Sequence, residues 1–177
     1  MAIMAIHQQR GFTLVELLIV LSIVGLLAAT SMAIYRSARV RGGETVAVAT
    51  LQAITQAQFA FAQLCGKQRY APSLAALTTP MPTTGQPFLS PDLGVDPLLK
   101  GGYRFTLGGT PVTDTGLTCT GVTPLETYQA TADPDRPGLS GIRYFGTNTD
   151  RVLYEDTETF TGNMPESGPP PHGTEMK

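Results

Sequence analysis

An apolar run near the start of the chain limits the possible folds more than any other feature. Residues 12–35 are almost entirely apolar or small, and Glu16 is the only charged residue between Arg10 and Arg36. As a helix rising 1.5 Å per residue, a run of this length extends about 36 Å, enough to cross a hydrocarbon core of about 30 Å. A carboxylate within such a span costs on the order of 3 kcal/mol on insertion scales, so Glu16 is a candidate functional residue.

The polar head before this run has an unusual arrangement. An ordinary secretory signal carries its cleavage site after the apolar region. Here the polar head, residues 1–11, ends in Gly11 directly before the run. A peptidase that cut after Gly11 would leave the apolar helix on the mature chain, with Phe12 as its first residue and Glu16 as its fifth.

The junction G-F-T-L-V-E resembles the type III signal of bacterial prepilins, the precursors of type IV pilins and of type II secretion pseudopilins. The resemblance implies that residues 1–11 are a leader removed by a prepilin peptidase after Gly11. It also implies N-methylation at Phe12 and a role for Glu16 in subunit assembly. Residues 12–35 would then form the transmembrane half of a long N-terminal helix.

The chain departs from the family in one place within this helix. The family usually has a proline where this chain has Ala33, while Gly25 is retained. In assembled pili the helix commonly loses its regularity between these two positions. In this chain the irregular stretch is therefore expected to be absent, shorter or centred on Gly25.

Helical periodicity resumes after the membrane-length run. Over residues 44–65, apolar side chains recur at steps of three and four, interrupted by Gln58, which is typical of an amphipathic helix. Gly66 follows as a suitable end. Residues 44–58 and 70–77 also look like the corresponding parts of short type IV pilins. Together the two halves predict one helix of over 50 residues.

The rest of the chain predicts a sheet. Four short segments have strand character, residues 103–107, 125–132, 142–145 and 152–155. The expected fold is α+β and pilin-like, with the long N-terminal helix packed on a roughly four-stranded antiparallel sheet. Residues 36–161 would form the periplasmic or extracellular domain. The proline-rich residues 162–177 are expected to be a disordered tail.

Two cysteines, Cys65 and Cys119, follow the apolar run. An even count on the outward side of a membrane favours a disulfide in an oxidising periplasm, with two buried free thiols as the alternative. The bridge would fasten the end of the long helix to the segment between the first two predicted strands.

The charges that flank the apolar run conflict with an outward location of the C-terminal domain. Arg36, Arg39 and Arg41 follow the run, and by the positive-inside rule they would place the C-terminal side in the cytoplasm. We give precedence to the large domain with paired cysteines and to the prepilin resemblance. The expected location is the bacterial inner membrane, single pass with a cytoplasmic N-terminus, before assembly. After assembly it is an extracellular pilus or a periplasmic pseudopilus.

No catalytic set or cofactor site is predicted. The two histidines, His7 and His172, do not form a metal-ligand spacing with the cysteines, and no nucleophile–base–acid set is present. A net charge of −2 gives no bulk electrostatic reason to bind nucleic acid. The acidic residues within 155–158 offer carboxylate oxygens, the ligands that calcium prefers. A solvated acidic turn is the simpler interpretation.

The expected function is structural: a homo-oligomeric type IV pilus-like filament whose subunits are stored in the membrane. Its expected partners are the prepilin peptidase and a pilus or secretion assembly machinery in the inner membrane. A type II secretion pseudopilin shares the signal and the fold and is the nearest alternative. An alternative of another class is a signal-anchored periplasmic binding protein that does not polymerise, which predicts an uncut Gly11.

Overall fold

The computed structural model describes residues 11–112 and 116–176, which fall into two compact units. The first unit ends at Ala38 and the second begins at Arg39. One helix, α1, covers Leu14–Leu64 and therefore contributes residues to both units. Its 51 residues confirm the prediction that the apolar run and the periodic segment after it form one long helix.

The first unit presents apolar side chains outward. Every residue from 11 to 32 is exposed, including Phe12 at 72% and Leu14 at 79%. The hydroxyls of Ser22, Thr30 and Ser31 donate to backbone carbonyls one turn earlier, so they add no unpaired donor to the apolar surface. Among the described residues, α1 is the one helix with the length and apolar composition needed to cross a membrane.

The second unit contains one antiparallel sheet whose strands follow each other in chain order. Its six strands are β1 Leu98–Lys100, β2 Tyr103–Gly108, β3 Gln129–Pro134, β4 Tyr144–Asn148, β5 Leu153–Asp156 and β6 Thr174–Glu175. The α+β class and the antiparallel pairing are confirmed, but the expected number of about four strands is too low. The two additional strands are the edge strands β1 and β6, of three and two residues. Segments this short show no readable alternation in sequence.

Two details of the sheet have local causes. β1 and β2 are joined by Gly101 and Gly102, both at positive φ (61° and 81°), as a two-residue hairpin requires. The strand expected at residues 125–132 is observed at Gln129–Pro134 instead. Leu125 pairs with Tyr70 in an isolated bridge outside the sheet.

The main core lies between the second part of α1 and the sheet. It includes these fully buried side chains from both sides: Leu51, Ile54, Phe61, Tyr103, Phe105 and Phe145. Gln58, which interrupts the apolar pattern in sequence, is also fully buried. Its amide oxygen accepts from the Ala71 N–H at 2.8 Å, and its amide nitrogen donates to the Ala71 carbonyl at 3.0 Å. This pair ties α1 to the segment that precedes the short helix α2, Leu74–Thr78.

Gly66 follows the end of α1 but does not adopt the left-handed conformation common at helix ends. Lys67 and Gln68, and not Gly66, have positive φ values (52° and 69°). A Cβ on Gly66 would instead meet the Arg69 carbonyl, so the glycine allows a close backbone approach.

The described part of the C-terminal segment, residues 162–176, which was expected to be a disordered tail, makes side-chain contacts with the rest of the second unit. Met164 is buried with Phe160 and Tyr154 in a second apolar cluster. Glu166 accepts hydrogen bonds from the Thr110 N–H, the Thr110 hydroxyl and the Thr127 hydroxyl. Proline and glycine prevent regular structure here, but side-chain contacts hold the segment without it.

Candidate processing and assembly site

The residues that flank the expected cleavage point are accessible. Gly11, Phe12 and Thr13 precede the first turn of α1 in non-helical conformation, and all three are exposed. A Cβ on Gly11 would have no atom of the described residues within 4 Å, so the described part of the chain does not crowd the bond after it. A peptidase could reach this backbone without unwinding the helix. The leader expected at residues 1–11 lies outside the described residues except for Gly11.

Thr13 and Glu16 form the first turn of α1. The Glu16 N–H donates to the Thr13 hydroxyl oxygen at 3.2 Å, and that hydroxyl donates to Glu16 Oε2 at 3.4 Å. This is a variant of the T-x-x-E capping box, which satisfies otherwise unpaired N–H groups at the start of a helix. The T-x-x-E spacing of this cap is visible in the sequence.

The apolar side chains of α1 after this first turn are exposed and available for contact with other chains. A Cβ on Gly25 would have no atom of the described residues within 4 Å, so contacts within that part of the chain do not explain this glycine. Backbone irregularity near Gly25 is not seen, because α1 is continuous from Leu14 to Leu64. Small residues allow apolar helices to pack closely in membranes.

A disulfide between Cys65 and Cys119 is present. Cys65 follows the last residue of α1, and Cys119 lies between β2 and β3, the two strands that frame the expected position. The Cys119 N–H also donates to the Cys65 carbonyl at 3.2 Å. The bridge therefore fastens the end of the long helix to the segment between β2 and β3.

Glu44 anchors α1 to the loop that joins β3 to β4, a contact that the sequence did not reveal. Its Oε1 accepts from the Ile142 N–H at 3.1 Å, and its Oε2 accepts from Arg143 Nη2 at 2.8 Å. Glu44 is 6% exposed. Arg143 also pairs with Glu155. The position of Glu44 seven residues before Leu51 indicates burial on the helix, but nothing in the sequence points to a partner 99 residues away.

The charge state of Glu44 follows from these contacts. Burial alone raises the pKa of its carboxyl, but the hydrogen bonds from Arg143 and from the Ile142 N–H outweigh burial and lower the pKa below its ordinary value of 4.5. Glu44 is therefore ionised at neutral pH.

Two of the acidic residues in 155–158 are engaged by basic side chains. Glu155 pairs with Arg143, and Asp156 Oδ2 lies 2.8 Å from His172 Nδ1. The hydrogen bond to His172 lowers the pKa of Asp156. Calcium binding at residues 155–158 would have to displace both partners.

The comparison with known families supports the resemblance inferred from the cleavage junction. The family model of the prokaryotic N-terminal methylation motif matches residues 6–32. No curated protein and no solved structure shows significant similarity to the chain. The match supports a type IV pilin-like prepilin or pseudopilin, a class of structural subunits that are typically non-enzymatic.

Proposed function

We propose that this protein is a structural subunit of a type IV pilus-like filament. It is cleaved after Gly11, N-methylated at Phe12 and polymerised through the apolar part of α1. The observation that carries the proposal is the methylation motif at residues 6–32, which coincides with an exposed apolar helix and an accessible Gly11–Phe12 bond.

The physical basis of assembly is the exposed apolar surface. A helix with no buried residue from 11 to 32 requires lipid or protein around it. Lipid is as apolar as the side chains themselves, so association between helices depends on close packing and on polar contacts. Before assembly the subunit resides in the inner membrane, from which the assembly machinery extracts it. In the proposed filament, copies of this helix replace the lipid.

Glu16 supplies the polar contact in this scheme. Within a core of apolar helices its carboxylate requires a partner. Cleavage creates an amine at Phe12, two residues before α1 begins and four before Glu16. In the proposed filament the partner of Glu16 is the amine of a neighbouring subunit. Pairing between neighbours would set the axial register and select processed subunits.

The test is the chemistry of the N-terminus. Mass spectrometry of subunits from an expressing cell with a prepilin peptidase should find Phe12 as the first residue with one added methyl group. Gly11→Val should leave the uncut chain in the membrane, because a branched side chain obstructs the peptidase. Gly42→Val is the matched control, since a Cβ on Gly42 would also have no atom within 4 Å. It should leave cleavage unchanged.

The outcomes separate the proposed function from its alternatives. Surface filaments that contain the methylated subunit would support a pilus. A processed subunit that forms no surface filament but is required for protein secretion would identify a pseudopilin. Mature protein that retains residues 1–11 would overturn the proposal in favour of a signal-anchored protein.

A further inference from the structure

The loop at residues 136–142, between β3 and β4, is held in a fixed conformation by its own backbone. The N–H groups of Leu139 and Ser140 donate to the Arg136 carbonyl at 3.0 and 2.9 Å, and the Gly138 N–H donates to the Gly141 carbonyl at 2.8 Å. The Ser140 hydroxyl closes the loop by accepting the Arg136 N–H at 3.1 Å. The loop therefore presents its side chains without a large ordering cost.

Two of the presented side chains are aliphatic and point away from the core. Leu139 is 63% exposed and Ile142 is 59% exposed. Neither belongs to an apolar cluster of the second unit. The two residues are three positions apart on a loop of fixed conformation, so both aliphatic side chains are available for contact with another surface.

The same loop contacts α1 at Gly43 and Glu44, near the point where the helix enters the second unit. The Ile142 N–H is bonded to Glu44, and a Cβ on Gly43 would lie 2.5 Å from the Ser140 carbonyl oxygen. Beside this contact is a groove of about 300 Å³ whose lining includes Arg39, Gly42, Gly102 and Ser140.

Cationic residues lie on both elements that meet here: Arg136 begins the loop, and Arg39 and Arg41 precede Gly43 on α1 by four and two residues. Arg39, Arg41 and Arg136 are exposed, and none of them forms an ion pair within residues 11–112 and 116–176. The neighbouring acids are already occupied, since Glu44 binds Arg143 and Asp135 binds Arg104 at 2.9 Å. The surface formed by Arg39, Arg41, Arg136, Leu139 and Ile142, here called the basic apolar surface, thus combines net positive charge with aliphatic side chains.

The chain itself keeps this surface near a bilayer. Gly43 is eight residues after Tyr35, the end of the expected span, and even a fully extended chain of that length reaches at most about 29 Å. Arginines bind lipid phosphates, and aliphatic side chains beside them enter the headgroup boundary. Two of the three arginines that conflict with the positive-inside rule, Arg39 and Arg41, would then have a role on the outward side.

We propose that the basic apolar surface docks on the anionic headgroups of the membrane that holds the unassembled subunit. Docking fixes the second unit at the bilayer surface until the subunit leaves the membrane. The inference rests on the membrane insertion assumed in the proposed function, but it does not require cleavage or polymerisation.

The experiment places the full chain in nanodiscs at one copy per disc, with isotope-labelled Leu, Val and Ile methyl groups and a nitroxide on the lipid headgroup. In discs that contain phosphatidylglycerol, the Leu139 and Ile142 methyl signals should be broadened. Leu99 and Leu117 are the matched controls, since they are 58% and 59% exposed, and they should stay sharp. In discs of phosphatidylcholine alone, all four residues should give sharp signals.

Charge variants test the source of the attraction. Arg39→Gln with Arg136→Gln should lower the docking equilibrium constant by roughly fivefold per arginine. Arg-to-Lys at both positions should retain docking, because lysine also carries a positive charge. Lys67→Gln removes one exposed charge elsewhere in the second unit and should have no effect.

Three results would overturn the proposal. The first is equal broadening in both lipid compositions, and the second is no broadening in either. The third is shielding of Leu139 and Ile142 only in assembled filaments. That result would identify a second copy of the chain as the occupant of the surface. A subunit that docks in nanodiscs but never forms filaments would uphold this inference and overturn the proposed pilus function.

Discussion

At the first turn of α1, the Glu16 side chain has two separable properties. It takes part in the capping contact with Thr13, and it carries the only charge in the apolar run. A change to alanine removes both, so it cannot tell helix capping from subunit pairing. Glutamine retains the hydrogen-bonding side chain that a capping box accepts and removes only the charge.

We therefore expect Glu16→Gln to insert, be cleaved and fold, yet to give no filaments when it is the only copy. Thr13→Ala should cost about 1 kcal/mol of helix stability at the cap and still give filaments, because the charge is retained. The measurement is the subunit content of sheared filaments by immunoblot, with processing followed by mass spectrometry. Wild-type filament yield from Glu16→Gln would show that charge is not needed for assembly.

Glu44 provides a second prediction for a single residue. Because the pKa of its carboxyl is lower in the folded state than the ordinary 4.5, the ionised form stabilises the fold. This stability is present above pH 4.5 and is lost as the pH falls through 4.5 towards the folded pKa. Glu44→Gln should cost about 1–3 kcal/mol at pH 7, and its difference from wild type should shrink in acid.

The measurement is denaturant unfolding of the full chain in detergent micelles at several pH values, followed by near-UV circular dichroism. Glu126→Gln is the control, because Glu126 forms an exposed ion pair with Arg69 and should contribute little. A pH-independent difference between Glu44→Gln and wild type would contradict the assignment.

Individual residues were predictable where the signal is local. Gly11, Phe12 and Glu16 stand in one short motif, so their roles could be proposed from sequence, and those roles stay predictions. Glu44 and Gln58 were not recognised as anchors, because their partners are chosen by the tertiary fold. A buried polar residue on an apolar helix face indicates that some partner exists but does not identify it.

Among the secondary-structure elements, α1 could be predicted because an apolar run of membrane-spanning length is followed by several turns of helical periodicity. The edge strands and the packed C-terminal segment could not. β6 has two residues, and the segment before it is held by scattered contacts such as those of Glu166 and Met164. Composition indicates that such a segment lacks regular structure, which differs from lacking a fixed position.

The disulfide links two elements, and its removal is the prediction at this scale. Cys65 and Cys119 are 54 residues apart, a loop for which the chain-entropy model gives roughly 4 kcal/mol. Replacing both cysteines with alanine should lower the free energy of unfolding by about 2–4 kcal/mol, measured in micelles. Wild-type protein treated with a reductant should match the double variant. A difference below about 0.5 kcal/mol would show that packing alone holds the helix end.

For the whole molecule, the distribution of buried residues distinguishes the exposed apolar part of α1 from the folded domain. No residue from 11 to 32 is buried, whereas the core cluster begins at Ala47 and lies entirely in the second unit. A chain without the first unit therefore keeps every residue of this core cluster. The free energy that folds the second unit comes from its own core, its sheet and the disulfide.

This separation predicts that a chain starting at Arg39 folds without detergent as a monomer and does not form filaments. It should retain the disulfide and the near-UV circular dichroism of the full chain in micelles, with a single monomer mass by size-exclusion chromatography and light scattering. A chain starting at Leu51 is the control, since it lacks Glu44 and Ala47 and should be largely unfolded. Aggregation of the chain that starts at Arg39, under conditions where the full chain is folded in micelles, would mean that residues before 39 contribute to the fold of the domain. Filaments formed from that shorter chain would mean that the apolar helix is not what polymerises.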